Sequence, residues 1–165
     1  MNTLTQPLRD EHKELIPHIE KILEVADSLP DAPLEQLRTG VRDVYEFLAY
    51  HLIPHAQAED AALYPAVQKA LGSLDSTRTM TRDHIEVAHY IAELAQLQQE
   101  LTPQNFKALQ RVLYGLYALV KVHFAKEEEV YLPILEERLT AGEAAKMFAA
   151  MESAASHAKL AAQSH

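Results

Sequence analysis

The chain is 165 residues long, 48% apolar and free of cysteine, with 24 acidic against 15 basic side chains and a formal net charge of −9. That length and apolar content suit one domain with a substantial core rather than a disordered chain. The charge argues against a general nucleic-acid or anionic-membrane binder, and the missing cysteine excludes disulfides, thiolate metal sites, iron–sulfur clusters and thiol redox chemistry.

Helical periodicity dominates and no stretch alternates like a strand, so an all-α fold is expected. The first helix is predicted from about Pro7, a good first-turn proline, to Ser28. Leu29-Pro30-Asp31-Ala32-Pro33 breaks the pattern, and a second helix follows from Leu34 to about Leu71. Gly72 to Ser76 forms the next break, and a third helix covers Thr77 to Leu101. Thr102-Pro103 is an N-cap with an N1 proline for a fourth helix ending near Leu139. Thr140 and Glu143 read as the capping box of a short fifth helix, with an Ala-rich tail from Ser153 expected to fray. The whole, residues 1–165, reads as a single antiparallel up-down-up-down four-helix bundle over about 7–139, plus the short C-terminal helix and tail at 140–165. Pro17 and Pro54, each in Leu-Ile-Pro-His, are expected to bend their helices, the second aiming His55 inward. No apolar run approaches the roughly 18 residues of a membrane helix. The start, Met1 to Pro7, lacks a signal peptide's basic and apolar regions, so a cytoplasmic location is expected.

The two halves repeat a pattern. His55, Glu59 and Pro65 in the first half recur at the same offsets as His123, Glu127 and Pro133 in the second. Upstream, Arg9-Asp10-Glu11-His12 matches Arg82-Asp83-His84. An i, i+4 step turns about 400° around a helix, so each His and its Glu stand on one face and can grip one metal ion together. Up-down-up-down connections bring His12, His55, Glu59, His84, His123 and Glu127 to the same end of the bundle.

These six interrupt apolar stripes. On the fourth helix the stripe reads Leu109, Val112, Leu116, Leu119, Val120, His123, Glu127, Val130, Ile134; on the second it reads Leu37, Val41, Val44, Leu48, His55, Glu59, Leu63. His12 falls between Leu8 and Leu15, and His84 between Met80 and Val87. A carboxylate on a core face is costly unless it is paired or metal-bound, and these stripes carry no Lys or Arg partner. The competing reading is a set of buried, hydrogen-bonded His–Glu pairs. Imidazole and carboxylate donors suit iron, manganese or zinc. Without metal, the neighbouring Glu59 and Glu127 are expected to raise at least one carboxyl pKa.

His18 and His51 lie close enough in register to be further ligands or pocket residues, whereas His89, His157 and His165 read as bystanders. Glu86, Asp60, Glu128 and Glu129 read as solvated acids or as partners of the ligands, with Glu86 able to swing in. Tyr64 and Tyr131 are expected to pack with polar tips, and a phenol beside a metal could pass a proton to bound oxygen or peroxide.

The set His12, His55-x-x-x-Glu59, His84, His123-x-x-x-Glu127, with Leu63-Tyr64-Pro65 and Tyr131-Leu132-Pro133 following the pairs, resembles the haemerythrin-like family of histidine–histidine–glutamate cation-binding domains. The resemblance runs from about Leu8 to Leu139. It implies two iron ions in a non-haem centre with oxo or hydroxo and carboxylate bridges. Glu59 and Glu127 would bridge, and the four histidines would be terminal ligands. Oxygen-carrying haemerythrins have His-x-x-x-His on the third helix and His-x-x-x-x-Asp on the fourth; this chain has His84 with Ala88, and His123 with Glu127. The expected role is therefore binding or turnover of oxygen, peroxide or nitric oxide in oxidative or nitrosative stress or iron handling, and any enzyme activity would be iron-dependent peroxide breakdown. The alternatives are an oxygen- or iron-sensing or iron-storing module acting through a protein partner, and a zinc-binding structural bundle. The expected partner is a small diatomic or peroxide, with neither nucleic acid nor membrane bound.

Overall fold

A computed structural model describes residues 3–163; His165, expected to be a bystander, lies outside the described residues. Five helices account for the chain in order. They are α1 (Gln6–Ser28), α2 (34–71), α3 (Arg78–Leu97), α4 (106–138) and α5 (Ala141–Gln163). No strand occurs among the described residues.

The caps follow the sequence signals. Gly72 ends α2 at φ 66°. Its N–H reaches the Lys69 carbonyl while the Ser73 N–H reaches that of Gln68, the paired bonds of a Schellman ending that favours glycine. Thr102 and Asn105 form a reciprocal capping box on the 3₁₀ turn that leads into α4. Thr140 and Glu143 do the same for α5, with Thr140 N donating to Glu143 Oε2 at 3.0 Å and Glu143 N to Thr140 Oγ1 at 3.3 Å. The fifth helix is not short: it runs for 23 residues, and the stretch after Ser153 stays helical. Alanine is the strongest helix former, and Met147 and Met151 anchor α5 in the core.

Three internal prolines leave a common mark. In α2 and α4 the turns at Leu48–Leu52, Glu59–Leu63 and Glu127–Tyr131 are π-helical. Each is closed by the residue just before a proline, whose N–H donates five residues back: Ile53 to Leu48, Tyr64 to Glu59 and Leu132 to Glu127. Proline has no N–H to give and its ring crowds the carbonyl four residues earlier, so a widened turn accommodates it. Pro17 instead sits inside an unbroken α1. The widened turn also shifts the helical phase by one residue. Beyond Glu127 the buried positions are therefore Leu132 and Leu135, while Val130, expected on the core stripe, is 49% exposed and Ile134 is half-buried.

Two apolar clusters result. One gathers Leu15, Ile19, Val44, Leu52, Val87, Val120 and their neighbours from α1 to α4. The other gathers Leu8, Leu63, Met80, Leu132, Leu135, Met147 and Met151, including α5. On every bundle helix the candidate ligands fall between these two clusters in sequence: His12 between Leu8 and Leu15, His55 and Glu59 between Leu52 and Leu63, His84 between Met80 and Val87, His123 and Glu127 between Val120 and Leu132. The six form a polar layer inside the bundle, sealed on both sides, rather than a patch at an open end. α5 packs on the part of α2 that carries His55 and Glu59.

Candidate metal centre

The fold brings all six predicted residues together. Glu59 and Glu127 are fully buried, His12, His55 and His123 nearly so, and the His84 side chain is 10% exposed. They fall into two groups whose ligating atoms lie within 4.8 Å of one another: His12, His55, Glu59 and Glu127, and then Glu59, His84 and His123. Glu59 belongs to both. Its Oε1 stands 2.8 Å from His55 Nε2 and 3.8 Å from His12 Nε2, while its Oε2 stands 3.3 Å from His84 Nε2 and 3.9 Å from His123 Nε2. Glu127 also faces both sides, with Oε2 3.5 Å from His12 Nε2 and Oε1 3.3 Å from His123 Nε2.

These inward atoms lack ordinary partners. His12 Nε2, His55 Nε2, both Glu59 oxygens and Glu127 Oε2 are buried and make no hydrogen bond. A buried polar atom left unpaired costs about 1–3 kcal/mol, more when charged. Several such atoms converging on the same space suit a cation site, and His55 Nε2 and Glu59 Oε1, 2.8 Å apart, pair across it when the imidazole is protonated.

Each imidazole is held from behind by a carboxylate on its Nδ1. Glu11 holds His55 at 3.0 Å, Asp60 holds His84 at 2.9 Å, Asp83 holds His123 at 3.1 Å, and Glu128 holds His12 at 2.7 Å. The ring closes on itself, because α1 holds α2, α2 holds α3, α3 holds α4 and α4 holds α1. An ionised carboxylate only accepts, so each Nδ1 carries the proton and each Nε2 is turned inward. Glu128 and Asp83 are steadied in turn by Arg9 and Lys126, and Asp60 accepts from Thr81 Oγ1 at 2.9 Å. Asp60 and Glu128 are two of the four acids that the sequence leaves as either solvated or partners of the ligands; the roles of Glu11 and Asp83 are not read from the sequence. The signal was present, since an acid precedes His12 and His84 and an acid follows Glu59 and Glu127.

The repeated tyrosines differ. Tyr64 is buried, donates to Glu127 Oε1 at 2.7 Å, and places its hydroxyl 3.1 Å from His123 Nε2 and 3.3 Å from His84 Nε2. Burial, then the charges of Glu59 and Glu127, push its pKa far up, so it keeps its proton. Tyr131 donates to the Ser76 carbonyl at 2.9 Å and serves the fold. The other described histidines stay outside both groups. The rings of His18 and His51 stack against Phe47 at 4.8 and 6.3 Å, and His89 is 70% exposed beside Glu86, itself paired with Arg82 at 2.6 Å. His157 contacts the Ser153 carbonyl at 2.8 Å.

The carboxyl pKa expectation reverses at Glu59. Burial opposes its charge, but His55 and the neighbouring imidazoles overcome that and hold it well below the carboxylate range. Burial likewise disfavours charge on His55, His84 and His123, and the surrounding carboxylates overcome it in each case; His123 is pushed up to about 10. At neutral pH the metal-free His123, and His55, whose pKa lies well above its ordinary value, therefore carry protons that a metal must displace from Nε2. Metal binding at pH 7 is expected to release at least about one proton per ion, and affinity should keep rising with pH until His123 loses its proton near 10. Titration in weakly buffered solution with a pH electrode checks this; binding without proton release would contradict the assignment of Nε2 as the metal-facing atom.

A small apolar space adjoins the layer. Leu52, Val87, Val120 and Phe124, with His55, Glu59, His84 and His123, enclose about 20 Å³. That is room for little more than one water-sized molecule.

The hemerythrin HHE cation binding domain is the family whose model matches the chain, over residues 3–135. Comparison with curated proteins and with solved structures gave no match. No helix among the described residues is long and apolar enough to cross a membrane.

Proposed function

We propose, for a chain that belongs to the hemerythrin HHE cation-binding family, that the polar layer holds a pair of non-haem iron ions and that the loaded protein acts in the cytoplasm on oxygen, peroxide or nitric oxide. One observation carries the reading: Glu59 is common to both ligand groups, fully buried, and neither of its oxygens is hydrogen-bonded. A carboxylate so placed suits a bridge between two cations. His12 and His55 would serve one ion, His84 and His123 the other, with Glu59 and Glu127 between them. Nitrogen and oxygen donors of this kind stabilise both ferrous and ferric iron, and the bound pair would supply two one-electron changes within the bundle.

The chain's own residues do the rest. The carboxylate ring fixes the four imidazoles in orientation and tautomer. The space of about 20 Å³ beside the layer is small and suits a small reactant. Tyr64 keeps its proton at the edge of the second group, where its hydroxyl can donate a hydrogen bond to a bound reactant. A second reading, sensing or iron storage through a partner, is favoured by the packing of α5 on the segment carrying His55 and Glu59, which offers the site a route to the surface.

Stopped-flow mixing of anaerobic ferrous protein with oxygen and with peroxide separates these. With Ala88 where a carrier has its second histidine, oxidation to ferric iron is expected, together with peroxide consumption. Tyr64→Phe should keep its metal and slow the step by roughly tenfold or more. Oxygen released on evacuation, with ferrous iron recovered over many cycles, would contradict turnover and favour reversible binding.

A further inference from the structure

A groove of about 440 Å³ runs along the outside of the bundle between α1 and α4, a volume typical of small-molecule sites. Matched helical spacings create it: Arg9, Lys13 and Ile16 on α1 face Lys121, Phe124 and Ala125 on α4. From Arg9 to Ile19 the α1 wall extends about 15 Å. Its floor is apolar: Ile16 stays 42% exposed there, backed by the nearly buried Phe124 and the buried Ile19.

The charge of the lining is unlike that of the chain. Three cations, Arg9, Lys13 and Lys121, stand against one acid, Glu128, in a protein of net charge −9. Glu128 is already committed through both oxygens, to His12 Nδ1 and to Arg9. Lys13 is held loosely by comparison, while Lys121 also lies 5.6 Å from the centroid of the Tyr117 ring. Lys13 is 70% exposed and 3.4 Å from an exposed Asp10, and Lys121 pairs with Glu20 at 2.6 Å on the surface. Exposed pairs of this kind are weak and exchange readily for a ligand's anion.

From the apolar floor and the cationic rim together, we propose that this groove binds an amphiphilic monocarboxylate, with a medium-chain fatty acid as the reference ligand. Its chain lies over Ile16 and the edge of Phe124, and its carboxylate is taken by Lys13 and Lys121. Phe124 stacks on the His12 ring with centroids 4.4 Å apart and planes at 24°, so the occupied groove touches the back of the polar layer. Of the six layer residues His12 alone lines the groove, and the proposal does not depend on which metal, or how many ions, the layer holds.

Calorimetric titration of decanoate into metal-loaded and metal-free protein tests the proposal. One decanoate per chain is expected to bind saturably to both forms. Lys13→Glu with Lys121→Glu should weaken it at least tenfold, as should Ile16→Asp, while the metal content of both variants stays at the wild-type level. Decyltrimethylammonium, with the same chain and the opposite charge, should not bind. Absence of saturable decanoate binding up to millimolar concentration, unchanged affinity in both variants, or equal binding of the cationic amphiphile would each overturn the proposal. Metal content, measured in the same samples, tests the iron assignment separately.

Discussion

Glu59→Ala is expected to lose nearly all bound iron, with the affinity of both positions falling by more than about 100-fold. The expectation rests on Glu59 being common to the two ligand groups, with its two oxygens facing different pairs of imidazoles. Changing a residue that only supports a ligand typically costs 10–100-fold in metal affinity, and a shared ligand should cost more. Glu11→Gln and Asp83→Asn, which weaken the carboxylates behind His55 and His123, should fall within that 10–100-fold range. His89→Ala and His157→Ala should retain the metal, since neither residue joins either group. Competition against a chelator of known affinity measures all five variants on one scale. Equal loss in Glu59→Ala and His89→Ala would mean that the metal is held elsewhere.

Metal removal is expected to lower the melting temperature by roughly 8–16 °C. A ligand that binds only the folded state at about 1,000 times its Kd stabilises by about 4 kcal/mol, and each kcal/mol moves Tm by about 2–4 °C in a chain of this size. The metal-free fold should survive, because protonated imidazoles offset the buried carboxylates. Its stability then follows pH in a definite sense. His123, raised to about 10, contributes fully below its ordinary value of 6.5 and loses that contribution as pH rises through about 10. Glu59, lowered well below 4.5, contributes above that value and loses its contribution as pH falls through the depressed pKa. The metal-free protein should therefore be most stable between these limits. Calorimetric scans of both forms across pH test the point, and identical melting temperatures with and without metal would contradict a buried site built from these six residues.

Much of this was legible in the chain because the bundle is a repeat. The paired His-x-x-x-Glu steps and the earlier His12 and His84 fix which faces turn inward, and apolar residues on either side of each ligand mark them as buried. The helix breaks were legible too, from Pro30, Gly72 and the Thr102 and Thr140 caps. Positions beyond the prolines were not. A π turn ahead of Pro133 shifts the phase by one residue, so Val130 moves outward and Leu132 and Leu135 move in. The length of α5 was missed because its small, Ala-rich residues show little amphipathic pattern, although Met147 and Met151 dock it firmly. Glu11 and Asp83 were passed over because each serves the histidine of the next helix, not the one beside it, and linear spacing does not reveal which helices are neighbours around the ring. Tyr64 and Tyr131 looked equivalent in the repeat, and only their packing separates a hydroxyl in the site from one bonded to the Ser76 carbonyl.

Anaerobic titration of metal-free protein with ferrous iron, followed by elemental analysis after removal of free ions, bears most directly on the shared carboxylates. Two iron ions per chain are expected, with both positions largely lost when Glu59 is replaced by alanine. Saturation at one ion, or at none after reconstitution, would contradict a dinuclear centre bridged by Glu59 and Glu127.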